Sequence, residues 1–302
     1  MTRTIVVGQK KQRSPVKEWV GTIFWAGLIA ITFRSFLLEP FNIPSGSMIP
    51  TLHVGDHLFV SKWSYGYSRY SFPFGSWNLW SGRFLQFGEP ERGDIVVFRK
   101  PNDSVEYVKR LIGMPGDTIQ IKSGRLYING TIVPRENPKR YIIANLPNNN
   151  GRESFGYQYR DIVIRGNRMY LNNAPVDFNY TIEYKDEQLC RYSPAECGVE
   201  EGVEYTETLP GGRQHRIVEL SDNERFDDTG LFTVPEGHYF MMGDNRDRSA
   251  DSRDPGLGFI HRDRFMGKVW FVFYSHNYYS PLLYIWDWNY KMRWERFGLM
   301  PQ

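Results

Sequence analysis

One long apolar run, near the N-terminus, predicts a membrane-spanning helix. Residues 19–38, WVGTIFWAGLIAITFRSFLL, carry a single charged side chain, Arg34. A stretch of about 20 apolar residues is long enough to cross a bilayer as a helix. Arg34 lies close to the far end of the run, where a long cationic side chain can reach the lipid headgroups. We therefore predict one transmembrane anchor over residues 19–38.

The charges that flank this run predict its orientation. Residues 1–17 hold no acid and five basic side chains, namely Arg3, Lys10, Lys11, Arg13 and Lys17. Such a bias favours a cytoplasmic tail, residues 1–18, with everything after residue 38 on the outer side. A cleaved signal peptide is the competing interpretation. Because Glu39-Pro40-Phe41-Asn42 follows the run in place of a small-x-small exit, an uncleaved anchor is favoured.

Beyond the anchor the pattern changes to short β-branched and aromatic runs bounded by Gly, Pro or Asp, which is typical of strands. The clearest are Asp56–Val60, Asp94–Arg99, Glu106–Ile112 and Thr118–Ile121. Two hairpins are predicted, one with Asn129-Gly130 as a type I′ turn and one around Pro210-Gly211-Gly212. Amphipathic helical periodicity does not recur, so the fold is predicted to be mostly β, a folded-over β-sheet or barrel.

Composition divides this β region and excludes one class of partner. Residues 136–230 are richer in Asn, Gly and charge than their flanks, which predicts an inserted β cap within a main domain of residues 39–135 and 231–302. The net charge of +3 does not indicate nucleic-acid binding. Cys190 and Cys197 are the only cysteines, and outside the membrane they would form a local disulfide or remain two free thiols. No paired His accompanies them, which argues against a metal site there.

The common hydrolase motifs are missing from the sequence. Gly-x-Ser-x-Gly does not occur, and the one Ser-x-x-Lys, Ser14 to Lys17, lies in the basic tail. None of the six histidines has the setting of a Ser-His-Asp triad. Ser47, between Gly and Met in an irregular Pro-bounded segment, is a candidate nucleophile or simply part of a turn.

Lys109 and a charged glycine-framed segment are the other candidates. Lys109 follows Val108 in an apolar strand, and a lysine buried there would lose its proton readily enough to act as a base. Alternation alone leaves open whether it faces the core or solvent. Residues 243–253, GDNRDRSADSR, balance acids and arginines, as expected either of an ion-paired loop supporting a site or of a solvated turn.

Taken together and in this order, these segments resemble the type I signal peptidases. The resemblance lies in three motifs, Ser-Gly-Ser-Met-x-Pro-Thr-Leu at 45–52, Tyr-Val-Lys-Arg-x-x-Gly-x-Pro-Gly-Asp at 107–117, and residues 243–253. It implies a Ser-Lys endopeptidase that removes signal peptides from exported preproteins at the outer face of the bacterial plasma membrane, close to the translocon. No metal or organic cofactor is implied.

The resemblance also implies roles for individual residues. Ser47 would be the nucleophile, Lys109 the general base, and the Ser45 hydroxyl with the Ser47 N–H the oxyanion donors. Ser249 would hydrogen-bond the Lys109 amine. The peptide would lie extended near Pro44 and Tyr107, over shallow pockets formed by Phe41, Ile43, Met48, Leu52, Leu58, Val97, Tyr107 and Val108.

Two alternatives and one surface stay open at this point. The chain could process a specialised client, such as a conjugative pilin, or be a self-cleaving repressor, although the latter would need a DNA-binding head. It could also be a catalytically silent, membrane-tethered β scaffold. The aromatic-rich residues 63–90 are predicted to enter the outer leaflet, the other possibility being that they are ordinary core residues.

Overall fold

A computed structural model of the chain describes residues 15–72, 82–85, 87–101, 103, 105–146, 158–165, 168–171, 174–176, 199–276 and 292–301. These residues form mostly strands, which confirms the predicted class. The elements are α1 (Pro15–Phe36), β1 (Leu38–Asn42), β2 (Asp56–Ser61), β3 (Tyr67–Ser68), β4 (Arg83–Phe84), β5 (Ile95–Arg99), β6 (Glu106–Gly113), β7 (Thr118–Lys122), β8 (Arg125–Ile128), β9 (Thr131–Ile132), β10 (Arg135–Leu146), β11 (Gln158–Arg165), β12 (Arg168–Leu171), β13 (Ala174–Val176), β14 (Val199–Thr208), β15 (Gln214–Glu219), β16 (Phe232–Thr233), β17 (His238–Met242), β18 (Ile260–His261) and β19 (Phe265–Ser275).

Helix α1 confirms the apolar N-terminal helix that the sequence predicts. Residues Glu18–Phe36 have a mean hydropathy of 1.3 and are long and apolar enough to cross a membrane. Only 6% of this stretch is buried by the rest of the protein, so its apolar side chains face outward. The helix ends at Phe36, two residues before the predicted limit of the span. It ends there because Leu38 already pairs with Ser61 as the first residue of β1.

An antiparallel sheet of seven strands carries the site, in the order β1-β2-β19-β5-β6-β17-β18. The predicted strands of this region correspond to β2, β5 and β6. Within the described residues β1 and β18 are edges, so this sheet stays open and is not closed into a barrel. Its main apolar cluster includes Met48, Leu52, Leu58 and Val97, all between 0% and 1% exposed. This buried apolar cluster packs beneath the segment that contains Ser47.

Two smaller features test the predicted turns. Strands β16, β7, β8 and β9 form a four-stranded sheet. The turn between β8 and β9 has φ of +52° at Asn129 and +76° at Gly130, which is the backbone of the predicted type I′ turn. The second predicted hairpin is also present, because β14 and β15 pair across Gly211 and Gly212, both with positive φ.

A six-stranded sheet, in the order β13-β12-β11-β10-β14-β15, lies within the region for which an inserted cap is predicted. It begins at Arg135, one residue before the predicted boundary. Its last strand joins the loop of residues 243–253, because the Val218 N–H donates to the Asp244 carbonyl over 2.8 Å and the Arg246 N–H donates to the Val218 carbonyl over 2.9 Å. The β15 strand therefore supports one side of that loop.

Candidate active site

Ser47 lies in a compact turn between β1 and β2. The turn is closed by the Ile49 N–H, which donates to the Gly46 carbonyl, and by the Leu52 N–H, which donates to the Met48 carbonyl. Asn245 fixes the turn from the opposite side. Its backbone N–H donates to the Ser47 carbonyl over 3.1 Å, and its side-chain amide donates to the Gly46 carbonyl over 3.2 Å. The nucleophile candidate is thus held in place by the loop of residues 243–253.

Lys109 occupies the middle of β6 and faces the interior. Strand alternation puts Glu106, three residues earlier, on the outer surface, while Lys109 is only 3% exposed. Lys109 Nζ lies 2.5 Å from Ser47 Oγ, although the two residues are 62 positions apart in the sequence. Of the two orientations that alternation leaves open, the structure shows the interior one. The fold therefore brings the two principal candidates into direct contact.

The surroundings of Lys109 make its amine a usable base. Burial lowers the pKa of Lys109 from its usual 10.5 to about 8. Asp251 and Asp244 act in the opposite sense, and Arg253 lowers the pKa further. The sequence predicts no carboxylate in contact with this lysine, so the structure adds these two aspartates to its surroundings. At neutral pH roughly a tenth of such a lysine is neutral, far more than for a free lysine.

Each of these aspartates is held by a guanidinium. Asp251 accepts from Arg253 Nε and Nη2, both over 2.9 Å, and Asp244 accepts from Arg110 Nε over 2.8 Å and Nη2 over 2.7 Å. Forked pairs of this kind fix the carboxylates in position and compensate their charge. Because Arg253 and Arg110 occupy the carboxylates, the pull toward a protonated Lys109 is limited and burial prevails. The segment 243–253 is therefore an ion-paired support, the first of its two interpretations.

Gly243 keeps this support close to Ser47. A Cβ at this position would lie 2.2 Å from Ser249 Oγ and 2.5 Å from the Ser47 carbonyl oxygen. Contacts that short are not tolerated, so only glycine fits here. The Gly243 N–H also donates to Asp251 over 3.0 Å, which ties the same backbone to the ion pair.

The other two predicted serines differ from each other. Ser45 is exposed and lines the cleft beside Ser47, where its hydroxyl is accessible to a bound peptide. Ser249 is only 4% exposed, and its Oγ has no hydrogen-bond partner among the described residues. Its predicted bond to the Lys109 amine is therefore not formed in this structure. The role of Ser249 stays a prediction.

A cleft of about 530 Å³ opens in front of Ser47 and Lys109, between the β1 edge and the start of β6. Six of the predicted substrate-binding residues line it, namely Phe41, Ile43, Pro44, Met48, Tyr107 and Val108. The other three, Leu52, Leu58 and Val97, are completely buried in the apolar cluster beneath. They do not line the cleft, because apolar residues that pack into a core leave no surface for a ligand. They support Ile43 and Met48 from below.

Sequence reasoning missed part of the wall and most of the supporting pairs. The cleft is also lined by Asn42, Val105, Glu106, Arg248 and Ala250. Arg248 and Ala250 flank Ser249 in the charged segment, so the motif itself was the signal for them. No local signal pairs Arg110 with Asp244, because they are 134 residues apart and meet only through the β6–β17 pairing.

Known proteins similar to this chain include signal peptidases. The family model described as "Signal peptidase, peptidase S26" matches residues 16–159 and 160–274. The Signal peptidase I of Rickettsia typhi is 36% identical over 273 residues, 88% of this chain and 83% of that protein. The Signal peptidase I of Rickettsia prowazekii is 36% identical over 268 residues, 86% and 81%. A signal peptidase I crystal structure from Enterococcus faecalis V583 is 24% identical and covers 60% of this chain and 96% of its own. Its TM-score, 0.25, is too low to show a shared fold.

Proposed function

The chain belongs to the signal peptidase family, peptidase S26, and we propose that it cleaves signal peptides from exported preproteins with Ser47 as nucleophile and Lys109 as general base. It is a serine endopeptidase by family. The observation that carries the residue assignment is the 2.5 Å contact between Lys109 Nζ and Ser47 Oγ in a buried setting. A serine hydroxyl becomes an effective nucleophile when a neutral base lies within hydrogen-bond reach.

The proposed reaction needs only these side chains and water. Neutral Lys109 accepts the Ser47 proton while Oγ attacks the scissile carbonyl. The Ser47 N–H and the Ser45 hydroxyl donate to the resulting oxyanion, and a well-placed donor of this kind contributes ~3 kcal/mol. The Lys109 ammonium then protonates the leaving amine, which frees the mature protein. Water, deprotonated by Lys109, releases the signal peptide from the Ser47 ester as a carboxylate.

Two strand edges beside the cleft support an extended substrate. Strand β17 pairs with β6 only from Arg110 onward. Within the described residues, Glu106–Lys109 therefore pair with β5 alone. Strand β1 is the opposite edge of the sheet and leads directly into Pro44. A peptide can add to such edges by main-chain hydrogen bonds, with alternate side chains entering pockets. Shallow apolar walls at Phe41, Met48 and Val108 fit the small side chains of a signal-peptide cleavage site.

The function is tested by incubating the detergent-solubilised protein with a purified preprotein and sequencing the new N-terminus. We expect one cut at the end of the signal peptide. A processing enzyme for one specialised client would leave ordinary preproteins intact, and a silent scaffold would cut nothing. Either outcome would contradict the proposal.

We propose that α1 anchors the enzyme with the N-terminus in the cytoplasm and the β domain outside, next to the translocon. The basic residues 1–17 support this orientation. The cluster at the outer end of α1 supports contact with lipid. Phe36 contacts Tyr67 and Phe72, with ring centroids 5.7 Å and 5.5 Å apart. Beyond them the side chains of Phe84, Leu85, Phe87 and Trp270 are exposed, as is typical of a surface that enters the headgroup region.

A liposome assay tests this surface. A variant lacking residues 1–36, which spares β1, should still sediment with liposomes of bacterial lipids because the exposed aromatics remain. Replacement of Phe84, Leu85 and Phe87 by serine in that variant should release most of it. If the shortened protein stays entirely in the supernatant before any replacement, α1 provides the only attachment. Of the aromatic-rich segment, residues 73–81 and 86 lie outside the described part.

Cys190 and Cys197 also lie outside the described residues, so their disulfide stays a prediction. It would close a short loop on the outer side of the membrane, where disulfides persist. We expect no titratable thiol in the unreduced, denatured protein, and a stabilisation of about 2–4 kcal/mol at most. Two titratable thiols would contradict both the disulfide and the proposed outer location of this segment.

A further inference from the structure

Three carboxylates converge behind the charged loop, at a place that the proposed mechanism does not use. They are Glu219 at the end of β15, Asp227 in the following turn, and Asp247 in the loop of residues 243–253. Glu219 and Asp227 are 4% and 2% exposed. One oxygen from each of the three side chains lies within 4.8 Å of the others. Like charges packed this closely in the interior need a compensating partner.

Hydrogen bonds account for only half of the oxygens on two of these groups. Asp227 Oδ2 accepts from the Glu224 N–H over 2.6 Å. Asp247 Oδ2 accepts from the Leu220 and Ser221 N–H groups over 2.6 Å and 3.1 Å. Their Oδ1 atoms are buried, and in the part of the chain that the structure describes neither has a hydrogen-bond partner. Buried carboxylate oxygens without a donor are costly, so these two require another ligand.

The ion pairs nearby leave a deficit of positive charge. Arg246 forms a fork with Glu207, and Arg135 bridges Glu207 and Glu219. Neither guanidinium pairs with Asp227 or Asp247. With all four carboxylates ionised, the group would hold four negative and two positive charges, a deficit of two positive charges. His215 beside Glu207 does not change the count, because burial lowers its pKa to about 3 and keeps it neutral.

We propose that Glu219, Asp227 and Asp247 form a binding site for one divalent cation, with Ca²⁺ preferred. Hard cations take carboxylate oxygens, and the Ca²⁺–oxygen distance of about 2.3–2.6 Å lets ligands on one ion lie up to about 5 Å apart. The 4.8 Å limit on these three oxygens fits that range.

The site would stabilise the fold, and the cation takes no part in cleavage. Asp247 belongs to the loop whose Asn245 holds the Ser47 turn, whereas Glu219 belongs to the six-stranded sheet. A cation between them ties the loop to β15. No sequence pattern predicts a metal here, because Glu219 and Asp247 are 28 positions apart and the three ligands have no familiar spacing. A proton shared between the carboxylates is the competing occupant, since burial raises the pKa of Glu219 to about 7.

The test measures the melting temperature of the full-length protein in detergent, first stripped with EDTA and then titrated with CaCl2 or MgCl2. We expect a saturable rise of several degrees with Ca²⁺ and a smaller rise with Mg²⁺. Asp227→Asn should lose the rise. Asp228→Asn is the matched control, because this exposed neighbour lies outside the cluster, and it should keep the rise.

Equilibrium dialysis with radioactive calcium gives a second readout, and the amount of calcium that the native protein binds does not depend on how the variants fold. One ion per chain, lost in Asp227→Asn, supports the site. Absence of bound calcium together with an unchanged melting temperature would overturn it and leave the shared proton as the occupant. Equal calcium effects in Asp227→Asn and Asp228→Asn would also overturn it. Neither measurement depends on peptidase activity, so the outcome is independent of the proposed function.

Discussion

Lys109→Met should eliminate preprotein cleavage and also make the folded protein more stable at neutral pH. Methionine fills a similar volume but cannot accept the Ser47 proton, so the nucleophile is no longer activated. It also removes a charge that the fold buries at a cost. Below pH 8 the lysine is protonated in both the folded and the unfolded states, and burial disfavours the charged form. Because the folded pKa is about 8 and the usual value is 10.5, this cost is about 3 kcal/mol.

Urea unfolding at pH 7 measures the stability change, and single-turnover cleavage measures the activity. The native protein should gain stability as the pH rises from about 8 to 10.5, since the unfolded state then binds more protons, and the variant should lack this contribution. Lys109→Arg is the control for charge, because guanidinium stays protonated and should also be inactive. Near-native cleavage by either variant would show that Lys109 is not the base.

Ser47→Ala should abolish cleavage while leaving the protein folded and able to bind a preprotein. Loss of a covalent nucleophile removes the acyl-enzyme route, and we expect a fall of about 10⁶-fold in kcat. Ser45→Ala is the graded comparison, because it removes one of two oxyanion donors and should cost about 10²–10³-fold. Both rates are read by N-terminal sequencing and gel quantification of the processed product. Full activity of Ser47→Ala would refute the proposed mechanism.

The predictable parts of this molecule are those with a local signal. The Asn129-Gly130 turn is predictable because Asn and Gly readily adopt the positive φ that both positions have in the structure. Alternation in β6 correctly separates Glu106 from Lys109, but the sequence alone did not decide which face is interior. That depends on β5 and β17, which pair with β6 on either side. The pattern of apolar residues likewise does not show whether Leu58 and Val97 line a pocket or pack in the core.

Long-range pairing accounts for what the sequence did not predict. Asp244 compensates the charge of Arg110 from 134 positions away, and no local motif predicts that the two residues pair. The carboxylates of Glu219, Asp227 and Asp247 meet only because β15 packs against the loop of residues 243–253. Ser249 shows a further limit. Its place in the motif implied a bond to Lys109, but its buried hydroxyl has no hydrogen-bond partner among the described residues.

The pH dependence of kcat/KM for a synthetic signal-peptide substrate tests the Ser47–Lys109 assignment most directly. This profile reports the ionisation of the free enzyme's base. We predict an acidic limb with a pKa about 8, the lowered value of the buried lysine, and a fall of about tenfold for each pH unit below it. A limb near the histidine value of about 6.5, or a rate that does not change from about pH 6 to 9, would contradict a lysine base.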